Sequence, residues 1–137
     1  EKIEQDCQSS GVQKTVGVIA GYASQISTLE TVVATNDQNI WKNLHIVVHT
    51  VDAFQGRECD IIIYDLVRSN KKKKLGFTSD YRRLNVALSR AQQLLIIVGN
   101  DVMAYEGKAP KKLPNPFQKL IEYIDINAII CYPNTFE

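Results

Sequence analysis

Four short runs of nearly unbroken apolar, β-branched residues punctuate the chain: Thr15–Ala20 (TVGVIA), Ile46–Val51 (IVVHTV), Ile61–Leu66 (IIIYDL) and Leu94–Val98 (LLIIV). A strand with one wet face alternates apolar and polar side chains, so runs lacking that alternation predict strands buried on both faces. Ser24–Thr35 carries Ile26, Leu29, Val32 and Val33 at three-to-four-residue spacing, which predicts a helix between the first two strands. Ser79 or Asp80 can cap a second helix running to about Gln92. Pro116, suited to a first turn, opens a third, with Phe117, Leu120, Ile121 and Ile124 as its apolar positions up to about Ile126. Ala128–Tyr132 reads as an edge strand, and Asn36–Asn43, Ser69–Gly76 and Gly107–Pro116 read as loops. Strands alternating with helices predict an α/β fold: a parallel sheet with helices on both faces and ligands gathered at the carboxyl ends of the strands.

A chain of 137 residues fits one domain, with its core drawn from about residue 15 to 132. With 45% hydrophobic and 23% charged residues, the composition excludes disordered and collagen-like classes. Sixteen basic against fifteen acidic side chains leave +1, which excludes a protein that coats polyanions over its whole surface. The balance is local, however. From Arg68 to Arg90 eight basic residues (Arg68, Lys71–Lys74, Arg82, Arg83 and Arg90) face Asp80 alone, and phosphates are the natural partners of such a stretch. Lys71–Lys74 taken alone reads as a solvated loop. Cys7, Cys59 and Cys131 are odd in number and far apart, which supports neither a disulfide framework nor a zinc ribbon. A reducing intracellular compartment, cytoplasm or nucleus, is the expectation. No apolar run approaches the ~18–20 residues of a membrane span. The single methionine is Met103, so residue 1 reads as interior to a longer chain.

If Asp80–Ala91 is helical, Leu84, Leu88 and Ala91 form its buried stripe, and Arg83 and Arg90, seven apart, flank it on one side. A guanidinium beside a buried stripe needs an anionic partner. That partner is either a ligand phosphate or an acid of the chain such as Asp52, Glu58 or Asp60. Other signals are bland. His45 and His49 sit in a strand pattern and read as core or edge histidines rather than zinc ligands, Cys59 as an inert thiol, and Trp41 as packing for a loop.

Thr50–Arg68 (TVDAFQGRECDIIIYDLVR) and Gly76–Asn100 (GFTSDYRRLNVALSRAQQLLIIVGN) closely resemble motifs V and VI of superfamily 1 helicases, in the group containing senataxin and the RNA helicase of nonsense-mediated decay. Val16–Glu30 (VGVIAGYASQISTLE) is similar to that group's ITPY-x-x-Q segment, with Ala20-Gly21 where Thr-Pro is usual, so a threonine hydroxyl is lost there. The resemblance implies a RecA-like, P-loop NTPase-type second motor domain that closes over ATP and Mg²⁺ bound to an N-terminal RecA-like domain of the same polypeptide. No G-x-x-x-x-G-K-[ST] loop occurs in the chain, so the piece alone is expected to hydrolyse nothing.

Carried over by position, the resemblance makes Arg90 the arginine finger that reaches the γ-phosphate, with Arg83 a second candidate for a phosphate or for an ion pair that orients Arg90. Glu58 corresponds to the glutamate that accepts a hydrogen bond from the nucleotide ribose. Gly56 allows close backbone approach to the nucleotide, and Arg57 joins them with lower rank. Thr50, Asp52, Gln55, Tyr22 and Gln25 are the implied contacts to single-stranded DNA or RNA. The expected function is that of a C-terminal motor domain of an ATP-dependent helicase or translocase, moving 5′ to 3′ by kinship. A non-enzymatic single-strand-binding module and a degenerate scaffold are the alternatives. No metal ligand and no membrane partner are expected.

Overall fold

The structure, a computed structural model, describes residues 2–37, 41–110 and 113–132. The chain packs as two compact units, one of Glu1–Val67 with Tyr81–Gly99, the other of Arg68–Asp80 with Asn100–Glu137.

The first unit holds α1 (Lys2–Ser10), β1 (Lys14–Ala20), α2 (Ala23–Asp37), β2 (Leu44–Thr50), β3 (Cys59–Asp65), α3 (Tyr81–Leu88) and β4 (Ala91–Val98). Its strands form a parallel sheet in the order β2-β1-β3-β4. Every strand predicted from the four apolar runs is present, in an α/β RecA-like arrangement. From β1 the chain moves one way across the sheet to β2, and from β3 it moves the other way to β4. Right-handed crossovers therefore place α2 and α3 on opposite faces. Side-chain alternation agrees. Val16, Val18 and Ala20 of β1 pack with Val48, Ile61 and Ile26 of α2, joined by Leu29, Val33 and Ile3. Gly17, Ile19, Ile62 and Tyr64 point to the other face, where Phe54 is fully buried.

The connection from β2 to β3 has no helix. Residues 51–58 return across β1, and the Phe54 ring lies where a side chain of residue 17 would be: a Cβ on Gly17 would come within 2.5 Å of Phe54 and 2.7 Å of Ile62. Glycine at this position is what lets the returning segment lie flat on the sheet.

Several expectations change. The second helix stops at Leu88, not near Gln92, and β4 begins at Ala91, three residues ahead of the apolar run. The amide of Cys59 donates to the carbonyl of Arg90 (3.1 Å), which claims this stretch for the sheet. Gln92 and Gln93 sit at an irregularity in the β3–β4 register and spend their side chains on Glu58 and Asp60, so polarity there hid a strand. Consequently the buried positions of α3 are Leu84 and Ala87, and Ala91 belongs to β4. On α2, Val32 is exposed while Ile26, Leu29 and Val33 face the sheet. Ala128–Tyr132 forms no strand, and Ile129 is 91% exposed. Within the predicted loop Asn36–Asn43, α2 extends to Asp37, and residues 38–40 lie outside the described residues. The helix α1 went unread because its buried positions are Glu4 and Cys7. Glu4 accepts hydrogen bonds from the amides of Lys42 and Asn43 and from the Asn43 side chain, a charged anchor where the pattern calls for an apolar one.

The second unit is built from a 3-10 turn (Gly76–Ser79), α4 (Asp101–Glu106) and α5 (Pro116–Asn127). The Ser79 hydroxyl closes the 3-10 turn by donating to the Gly76 carbonyl at 2.7 Å. Asn100 and Asn115 cap the two helices, and Leu75, Met103, Ala104 and Phe117 are buried. The basic stretch read from the sequence is thus divided: Arg68 and Lys71–Lys74 belong to this unit, Arg82, Arg83 and Arg90 to the first. Lys73 is ion-paired with Glu106, and Lys71, Lys72 and Lys74 are exposed.

Candidate functional site

Parallel strands give the first unit two distinct rims, and the residues of interest divide between them. Ala20, Thr50, Asp65 and Val98 end their strands in one row at the carboxyl rim. Cys59 and Ala91 pair at the amino ends of β3 and β4, so Glu58 and Arg90, one residue earlier in each case, leave the sheet side by side at the opposite end. Of the residues named from the resemblance, Thr50 thus lies at a carboxyl strand end, whereas Glu58 and Arg90 lie at amino ends.

At the amino rim, Arg90 is half-buried at the end of α3. Its Nε donates to the Val86 carbonyl (3.1 Å) and its Nη2 to the Ser89 hydroxyl (2.9 Å). A cation at a helix carboxyl end sits favourably against the last carbonyls and the helix dipole. One edge of the guanidinium is thereby anchored, while Nη1 makes no hydrogen bond among the described residues. Ser89, which no sequence pattern singled out, is a direct partner of that guanidinium. Glu58 is exposed and accepts from Gln92 Nε2 at 3.1 Å. Gly56, two residues upstream, has φ +80°, a backbone state that favours glycine, and a Cβ there would meet no atom within 4 Å. Arg57 is exposed and lies 3.1 Å from His49 Nε2 through Nη1, on the side of β2.

Beneath this rim runs a network absent from the sequence reading. The amide and hydroxyl of Thr15 both donate to Asp60 Oδ2 (2.8 Å each), Gln93 Nε2 donates to Asp60 Oδ1 (2.7 Å), and Lys14 donates to Gln93. The Thr15 amide and then its hydroxyl hold the Asp60 carboxyl below the usual aspartate range, with Lys14 adding a smaller pull in the same direction and desolvation opposing them. Next to it burial pushes the Cys59 thiol up, against a hydrogen bond with Thr15, consistent with an unreactive cysteine.

At the carboxyl rim, the Thr50 hydroxyl accepts from the Ala53 amide (3.3 Å) at the start of the return. The Tyr22 carbonyl receives the amides of Gln25 and Ile26, which starts α2. Gln25 Nε2 donates to Asp65 Oδ2 (2.7 Å), and Asp65 Oδ1 accepts from the amide of Val67, a β-branched residue at φ 59°. Asp65 thus ties Gln25 to a strained backbone position, a role nothing in the sequence pattern announced. Burial, then Asp65 and Tyr22, pushes the Tyr64 phenol up to about 12. Gln55 is exposed in the turn. Of the anionic partners open to Arg83 from the sequence, the structure shows Asp52: Arg83 Nε donates to Asp52 Oδ1 at 2.9 Å and Nη2 to Oδ2 at 3.1 Å. Trp41 is half-buried ahead of β2, its indole nitrogen without a hydrogen-bond partner among the described residues.

A family model described as "AAA domain" matches residues 1–102. Among curated relatives, the "DNA polymerase alpha-associated DNA helicase A" of Saccharomyces cerevisiae is 39% identical over 123 residues, 89% of this chain and 16% of that protein. The Arabidopsis thaliana "Regulator of nonsense transcripts 1 homolog" is 42% identical over 96 residues, 68% of this chain and 8% of that protein. "Helicase sen1" of Schizosaccharomyces pombe is 44% identical over 85 residues, 62% of this chain and 5% of that protein. The chain thus spans between 5% and 16% of the length of these relatives. With motifs V and VI set on the two rims of a RecA-like sheet, the chain belongs to the AAA-domain family as a superfamily 1 helicase domain of the group containing senataxin and the nonsense-mediated-decay RNA helicase.

Proposed function

We propose that this chain is the C-terminal motor domain of an ATP-dependent helicase or translocase that acts on single-stranded DNA or RNA. The observation that carries the reading is the adjacency of Glu58 and Arg90 at the amino ends of β3 and β4, with the Cys59 amide bonded to the Arg90 carbonyl. Two motif residues 32 positions apart in the chain are brought to one rim. A nucleotide held by an N-terminal RecA-like domain of the same polypeptide would face that rim. The donor set fits such a ligand: a carboxylate for ribose hydroxyls, a guanidinium with its outer nitrogen open for phosphate oxygens, and a glycine whose Cβ-free face is unobstructed.

ATP with Mg²⁺, when bound, supplies the phosphoryl group and its charge neutralisation. This chain's share is positioning and electrostatics. Arg90, braced on Val86 and Ser89, presents a fixed positive charge where negative charge grows on the phosphoryl oxygens. Glu58 orients the ribose. Thr50, Tyr22 and Gln25 lie at the other rim, where a single strand would pass, with Gln55 exposed on the return that leaves it. Closure of the two motor domains brings Arg90 to its target, so strand binding and turnover are linked through this sheet.

The test is strand-stimulated ATP hydrolysis by the full-length protein and its Arg90→Ala variant. The expected result is retained nucleotide affinity with kcat reduced by about 10³. Unchanged kcat would remove Arg90 from the finger role. Strand binding indifferent to nucleotide, with no hydrolysis in the wild type, would favour a non-enzymatic binding module.

A further inference from the structure

From the bidentate contact between Asp52 and Arg83 we infer that these two residues are a positioning pair, which couples occupancy of the strand rim to the attitude of Arg90, and that neither one is itself a ligand contact. The inference rests on the motor-domain reading above and deepens it.

Two segments run from the carboxyl rim to the amino rim on the same face of the sheet. One is the return 51–58, which starts beside Thr50 and ends at Glu58. The other is α3, which must run antiparallel to the strands because β3 and β4 are parallel, and which ends just before Arg90. At the amino rim the two are joined by the Cys59–Arg90 backbone bond. At the carboxyl rim a bidentate side-chain contact joins Asp52 to Arg83, the third residue of α3, at 2.9 and 3.1 Å. Asp52 lies two residues beyond Thr50. A displacement at Thr50 is thus passed through this ion pair to the amino end of a two-turn helix whose carboxyl end carries the finger.

The chemistry of the pair argues against direct roles. Both oxygens of Asp52 are committed to Arg83, and an unpaired carboxylate facing a phosphodiester backbone would repel it. Two guanidinium nitrogens of Arg83 are committed in return, at the opposite end of α3 from Arg90. With side-chain exposures of 63% for Asp52 and 32% for Arg83, the pair adds little to folding stability, so what its fork geometry supplies is a fixed orientation.

The experiment uses the full-length protein and compares Asp52→Asn, Arg83→Gln, the charge exchange D52R/R83D and Arg90→Ala. It measures basal and strand-stimulated kcat, KM for ATP, and the Kd for an oligonucleotide. For each single change we expect stimulated kcat to fall about tenfold while Kd and KM stay within twofold, the size of a typical coupling between sites. The exchange should restore at least half of the lost stimulation. An oligonucleotide Kd weakened tenfold by Asp52→Asn would make Asp52 a strand contact instead. A loss in Arg83→Gln that the exchange does not rescue, or a raised KM, would make Arg83 a phosphate ligand. Single variants indistinguishable from wild type would also overturn the coupling role. If the wild type shows no strand stimulation, or Arg90→Ala leaves kcat unchanged, the motor reading fails and this inference with it. A defective Arg90→Ala beside normal Asp52 and Arg83 variants sinks the inference alone.

Discussion

At Asp60 a single carboxylate holds three strands together, receiving two hydrogen bonds from Thr15 of β1 and one from Gln93 of β4 while lying in β3 itself. Because those bonds favour the charged form, its folded-state pKa is lower than in the unfolded chain. The linkage has a definite sign. The stabilisation is fully present above the ordinary aspartate value of about 3.9 and is lost as pH falls through the depressed folded value. The difference in thermal midpoint between wild type and Asp60→Asn should therefore be constant near neutrality and shrink below about pH 4. A difference unchanged down to pH 2 would show that the charge on Asp60 is not what matters. That Arg83 needs an anionic partner was legible from the sequence, because helical spacing sets it beside a buried stripe. Which acid meets Arg83 was not, since helical spacing ranks no contacts across 31 residues, and Asp52, Glu58 and Asp60 stood equal. The Thr15–Asp60–Gln93 network was invisible for the same reason, its members being 45 and 33 residues apart.

Elements were read well where burial on both faces wrote a continuous apolar signal, as in β1 and β3. They were misread where polar side chains do structural work. The start of β4 was hidden by Gln92 and Gln93, and α1 by Glu4, each of which satisfies backbone or side-chain partners at an element end. The packing of the return on β1 belongs to this scale too. Filling the notch with Gly17→Ala forces the Phe54 ring or Ile62 to move, because a Cβ would lie 2.5 Å and 2.7 Å from them. Overpacking of this kind costs about 1–3 kcal/mol. Denaturant unfolding should report that loss, and in the full-length protein the displaced return should also lower strand-stimulated kcat. A variant as stable as wild type would mean that Phe54 has another place to go.

For the whole molecule, the relevant fact is division of labour. Residues 16–100 span both motifs and, in the proposed reading, act on a nucleotide that another domain holds, while the chain contains no phosphate-cradling G-x-x-x-x-G-K-[ST] loop. We expect the isolated chain to release no phosphate from ATP even with saturating oligonucleotide, and a full-length relative-sized protein to do so. Turnover by the isolated chain above that of its Arg90→Ala variant would contradict this. No helix among the described residues is long and apolar enough to cross a membrane. The two-unit packing was not foreseen, since one average composition and one core-sized length gave no sign of where the contacts would thin out.

The strap from β2 to β3, resting on β1 at Gly17, closes one face of the central strand, so once it is drawn across, β1 can be seated only from the face that α2 later covers. Synthesis from the amino terminus delivers β1 before the strap. A circular permutant opened between β1 and β2 would deliver its central strand after the strap and leave it that single way in.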